Sequence, residues 1–229
     1  MKHLTQSRSD LDGMIVGIEL TLVSIIQGVA LAVLIENARG IASLRQLALW
    51  PYVIAGLLTI FIFWSRAVLH IITVIRWPLE FAHNFLYIGC ALVEAISFAQ
   101  LAKPENWFAF GAAFIAVGWL LFVYDLRLIR ARQNDSGGEA ANKLFQIVLR
   151  DQRINIGLLL PIVFLLNVGC ASAIHFRPEL FLVNNGHLWL LAAQLFGFAC
   201  YLTYVVRFYE KLAPLIANAR EEWHRDHTG

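Results

Sequence analysis

The chain has 229 residues, of which 59% are hydrophobic and only 15% charged, and its mean hydropathy is +0.64. Soluble domains carry about 25% charged residues, so the composition excludes an ordinary water-soluble fold. A net charge of +2 leaves no electrostatic footprint for nucleic acid.

A helix that crosses a bilayer needs about 20 mostly apolar residues, and six segments qualify. The first runs from Gly13 to Ile35, interrupted by Glu19 and Gln27. It follows Asp10 and Asp12 without a small-residue cleavage site after it, so it reads as a retained helix and not a signal peptide. The second starts near Leu47, passes Trp64 and reaches at most Ile75, with Arg66 and His70 toward its far end. Trp77-Pro78 breaks the pattern, because the residue before proline is pushed out of the helical region. The third spans Leu79 to Ala102, a short polar turn covers Lys103 to Asn106, and the fourth spans Trp107 to Leu126. A polar segment, residues 127–153, carries Gln133-Asn134-Asp135-Ser136-Gly137-Gly138, a loop signature. The fifth segment is Ile154 to Ile174 and the sixth Leu188 to Phe208. In the tail, Leu212, Leu215 and Ile216 share one side, so it continues the sixth helix or lies on the membrane. The expectation is an all-α, polytopic membrane protein: one six-helix domain over residues 1–229, with a polar loop at 127–153 and a short tail.

Orientation follows from the basic residues. With the N-terminus in the cytoplasm, fourteen of the eighteen Lys and Arg fall on the cytoplasmic side, leaving Arg39, Arg45, Lys103 and Arg177 outside. Both termini, the 127–153 loop and the tail are therefore expected to be cytoplasmic. Trp50, Tyr52, Trp107 and Trp189 then lie near the outer ends as an aromatic belt, and Trp64, Trp77, Tyr124 and Tyr209 near the inner ends.

Polar groups within a span are expensive and therefore informative. In the first helix Gly17, Thr21, Ser24, Gly28 and Ala32 form one stripe of small residues, either a close packing face or the lining of a narrow pathway. In the third, Glu80, His83, Tyr87 and Glu94 fall within roughly 60° of one another at 100° per residue, with Asn84 adjacent. Arg66 and His70 are four apart on one face of the second helix, and Arg66 or Arg76 is placed to meet Glu80 near the cytoplasmic ends. Such a network either anchors the hairpin or does chemistry, and Glu94 lies deeper.

An enzyme is not expected. HExxH, GxSxG and Walker-type glycine loops do not occur, and His175 and His187 share one loop instead of forming the in-span pairs of a two-haem cytochrome. Cys90, Cys170 and Cys200 all lie in apolar runs and show no metal spacing, so they read as packing residues. No lysine lies within a span, which excludes a retinal Schiff base. No cofactor or metal is implied.

The run from Trp50-Pro51-Tyr52 through Phe63-Trp64, the nearby His70, and Asn84-Phe85-Leu86 opening the third helix resembles the lysosomal potassium-channel family, in its bacterial branch of one six-helix unit per chain. Arg8-Ser9-Asp10 stands near the place of that family's arginine and Phe-Ser-Asp fingerprint. The match is partial: Trp64 and His70 are six apart where the family has three, and Glu19 is a charge foreign to the family's gate. The resemblance implies a homo-oligomer, a tetramer, in a bacterial plasma membrane, passively conducting a monovalent, potassium-like cation with helix one lining the pore. Ile15, Glu19, Leu22 and Ile26 would then line or gate the pore, while Arg8, Ser9 and Asp10 anchor helix one against Trp64 and His70. Two other functions fit the residues: a proton-coupled transporter using Glu19, His83 and Glu94, and a non-conducting scaffold binding a partner through the 127–153 loop.

The orientation is directly testable. Cysteines introduced at Ser136 and Asn185 should react with impermeant reagents from opposite sides of the membrane, Ser136 from the cytoplasm. Labelling of both from one side would break the six-span arrangement.

Overall fold

A computed structural model describes residues 2–73, 81–133 and 138–228, with side chains described from residue 14 onward apart from 132, 220 and 223–228. The described residues form α-helices α1 (Lys2–Ser43), α2 (Trp50–Thr73), α3 (Phe81–Phe98), α4 (Pro104–Gln133), α5 (Glu139–Ile154), α6 (Leu160–Phe176) and α7 (His187–Thr228), with no strand among them. A π-helical segment, Asn155–Leu159, joins α5 and α6 into one rod, so the helices make six spans long and apolar enough to cross a membrane. The protein is accordingly an integral membrane protein with an all-helical fold.

Local chemistry accounts for the helix ends and the irregular turn. Pro104 opens α4 where a first-turn N–H needs no partner, and Glu105 beside it complements the helix dipole. Pro161 has no N–H to donate back to residue 157, and its ring would crowd that carbonyl. The wider turn just before it, in which the Leu160 N–H donates to the Asn155 carbonyl, opens the space the ring needs.

Three apolar clusters stack along the bundle. One end joins Leu34 and Ile41 of α1, Tyr52 of α2, Phe98 of α3, Trp107 of α4, Ile174 of α6 and Leu191 of α7. The middle joins Val23, Phe63, Tyr87 and Leu121. At the end where α1 begins and α7 finishes, here the termini end, Leu69, Ile129, Leu144, Val148, Leu212 and Ile216 pack together. α1 lies so close to α2 that a Cβ on Gly56 would stand 2.8 Å from Leu34 Cδ1. Around the outside, side chains such as Phe81, Phe85, Trp189 and Phe196 are largely exposed, as a lipid-facing surface requires.

The segment 127–153, expected as a polar loop, is helical on both sides of residues 134–137. Ala141, Leu144, Phe145, Val148 and Leu149 recur at helical spacing and bury one face of α5. The rod Glu139–Phe176 has 38 residues, about 57 Å at 1.5 Å per residue. A hydrocarbon core of about 30 Å cannot contain its full length, so part of the rod extends beyond the bilayer core. The tail likewise continues the last span, since α7 runs unbroken through Pro214. α6 packs on α4 and α7 on α2 and α5, while α6 and α7 barely meet. A cavity of about 680 Å³ lies between them, floored by α2, α3 and α4.

Candidate functional site

The buried face of α3 carries His83, Tyr87 and Glu94, so those members of the expected polar stripe point inward. α2 turns Arg66 and His70 to the same interior. The structure adds two carboxylates as their partners. Asp125, near the end of α4, is 1% exposed and is shared by two histidines, His70 Nδ1 at 3.0 Å and His83 Nε2 at 3.3 Å. Asp151, on α5, accepts from Arg66 Nη2 at 2.6 Å and from the Tyr204 hydroxyl of α7.

The two clusters touch. Arg66 Nη2 stands 3.5 Å from His70 Nε2, and its guanidinium lies over the Phe122 ring at 5.4 Å. His70 therefore directs one ring nitrogen to a carboxylate and the other to a cation, which fits a neutral ring with its proton on Nδ1. His83 offers Nδ1 to the Asn84 Oδ1 at 3.2 Å, and Asn84 in turn donates to Glu19 Oε1 at 3.1 Å. The chain of contacts thus runs Glu19, Asn84, His83, Asp125, His70, Arg66, Asp151, Tyr204 across α1 to α5 and α7.

The π-helical turn supports its far end. Asn155 donates to the Asp151 carbonyl at 2.9 Å and accepts from the Tyr201 hydroxyl at 2.8 Å. Next to Asp151, Gln152 donates to the Phe122 carbonyl at 2.8 Å, tying α5 to α4. Arg66, Asn155, Tyr201 and Tyr204 also border the 680 Å³ cavity, so the network ends at its wall. Farther along that wall Gln194 accepts from Trp107 Nε1 at 2.9 Å and donates to Asn167 at 3.3 Å, bridging α7 to α4 and α6. Glu94 also borders the cavity, and Gln27 of α1 donates to its Oε2 at 3.2 Å.

Among the pore candidates, Glu19 is fully buried within the protomer, while Ile15, Leu22 and Ile26 are half-buried, with Ile26 packed on the middle cluster. The small stripe Gly17, Thr21, Ser24, Gly28 and Ala32 is exposed on the opposite side of α1, and a Cβ on Gly17 or Gly28 would meet nothing within 4 Å. Trp64 points outward, 38% exposed, and so is not beside the buried His70. The side chains of Arg8, Ser9 and Asp10, and the whole of Arg76 and Glu80, lie outside the described residues.

Sequence reasoning missed Asp125 and Asp151. Asp125 stood at the edge of an apolar run, and Asp151 within the supposed loop. The signal was present, since Asp151, Gln152 and Asn155 continue the apolar stripe of Leu144 and Val148 by one and two helical turns. No family model matches the chain, and no curated protein or solved structure is significantly similar to it.

Removing one partner of a buried ion pair leaves an uncompensated charge, at a cost of about 3–5 kcal/mol. Asp151→Ala should accordingly lower thermal stability in detergent sharply. Arg66→Met combined with Asp151→Leu should recover most of that loss, because it removes both charges and keeps the volume. Equal stability of Asp151→Ala and the wild type would show that the pair is not buried as described.

Proposed function

We propose that the protein is a proton-coupled membrane transporter, with solute passing through the cavity and the His70–Asp125–His83 cluster exchanging the coupling proton. The observation that carries this is one buried carboxylate shared by two imidazoles, in contact with the Arg66–Asp151 pair at the cavity wall. Chains of Asp, Glu and His inside a membrane are the usual route for protons, because imidazole gives up and takes protons near neutral pH. The linkage between the clusters supplies the coupling: a change of charge at Asp125 acts through His70 on Arg66, which borders the solute space. By the distribution of basic residues the termini end faces the cytoplasm.

A passive cation channel built as a homo-oligomer is the second reading, favoured by one observation. The small-residue face of α1 is open on the surface of the protomer, where four copies around an axis would line a pore. Glu19 and Gln27 weigh against it, since both turn inward to α3 and not toward that face. 

Proteoliposomes holding a pH-reporting dye separate the two. A transported solute added outside should move protons with the wild type and not with Asp125→Asn, while that variant still purifies as a folded protein. A rubidium leak that ignores the pH gradient and persists in Asp125→Asn would establish the channel instead.

A further inference from the structure

The cavity has a chemical bias that proton coupling alone does not explain. Its wall is aromatic, with Phe63, Phe98, Trp107, Phe108, Phe114 and Phe198 facing it from four helices. Among the described residues one acidic side chain, Glu94, borders it, 1% exposed. Gln27 satisfies Glu94 Oε2, but Oε1 has no hydrogen-bond partner among the described residues. A carboxylate in such surroundings is tolerated only when a proton or a cation neutralises it. Arg66, which also borders the cavity, has its charge paired through Nη2 with Asp151 at 2.6 Å, whose other oxygen is taken by Tyr204. Its Nε and Nη1 have no hydrogen-bond partner among the described residues. The other polar groups near Glu94 on α3 and α1, among them Gln27, Tyr87, Cys90 and Ser97, carry no positive charge.

We propose that this cavity binds a lipophilic monocation with an aromatic body, which replaces a proton on Glu94. The proposal rests on the transport reading and names its substrate class. Each part of the site answers one part of such a ligand. Aromatic faces attract a cation that has shed its water. The apolar wall takes up the body of the ligand, and about 680 Å³ lies within the range of sites for small organic molecules. The single carboxylate sets the charge at one. On binding, the carboxyl O–H of Glu94 breaks, its proton leaves to solvent, and the carboxylate pairs with the cation. The charge of the cavity is the same before and after, so neither step leaves an uncompensated ion in hydrocarbon. An anion or a dication of the same size has no such balance.

The test uses tetraphenylphosphonium and tetraphenylborate, which share a shape and differ in the sign of their charge. Calorimetry on the purified protein in two buffers of different ionisation enthalpy reports both affinity and protons released. The wild type should bind tetraphenylphosphonium with release of about one proton and prefer it to tetraphenylborate by about thirtyfold or more. Glu94→Gln should lose that preference and the proton release together, and Gly118→Leu, which fills the cavity at a position where a Cβ meets nothing within 4 Å, should lose binding of the phosphonium. Equal binding of the two probes by the wild type, or tetraphenylphosphonium binding by Glu94→Gln with unchanged affinity, would overturn the proposal. Those readings on the wild type hold even if Glu94→Gln fails to fold. Selective binding with no proton movement in vesicles would leave the site standing and remove the transport reading. Asp125-dependent proton movement without charge selectivity at the cavity would do the reverse.

Discussion

Burying charge without stranding it is the constraint around which this bundle is arranged. Asp125 and Asp151 are buried in the interior, away from solvent, so each must be met by cations or donors from other helices. Asp125 draws in α2 and α3 through His70 and His83, and Asp151 draws in α2 and α7 through Arg66 and Tyr204. Because apolar packing gives little preference for one helix over lipid, such polar ties are what specify which helices are neighbours. Arg66 and His70, one turn apart on α2, carry the contacts of both clusters and set their spacing.

The cavity follows from the same arrangement. α6 is held to α4 and α7 to α2, and the space left between them is bridged by side chains, Tyr201 to Asn155 and Gln194 to Asn167. Pro161 forces the wide turn at Asn155–Leu159, and that turn presents Asn155 to both Asp151 and Tyr201. A backbone irregularity thereby joins the ion-pair network to the cavity wall. π-helical turns recur at functional sites for this reason: they redirect one residue without ending the helix.

Much of the fold was legible in the sequence, because the six apolar segments are long and the break at Lys103-Pro104 is a strong signal, while Trp77-Pro78 lies outside the described residues. The inward face of α3 was legible too, through the periodicity of His83, Tyr87 and Glu94. What stayed hidden was pairing. Arg66 or Arg76 looked placed to meet Glu80, and both Arg76 and Glu80 lie outside the described residues. The partner that is described for Arg66, Asp151, is 85 positions away on a helix whose low hydropathy disguised it as a loop. Periodicity gives the face of a helix but not the helix it faces. The small stripe of α1 shows the same limit, since a Cβ on Gly17 or Gly28 would meet nothing within 4 Å among the described residues although their spacing suits close packing.

Coupling through Asp125 is open to direct observation by solid-state nitrogen NMR of protein labelled at the histidine rings. If one carboxylate serves both imidazoles, Asp125→Asn should move the ring-nitrogen signals of His70 Nδ1 and His83 Nε2 together. His70 and His83 ring-nitrogen signals that stay unchanged in Asp125→Asn would contradict the account.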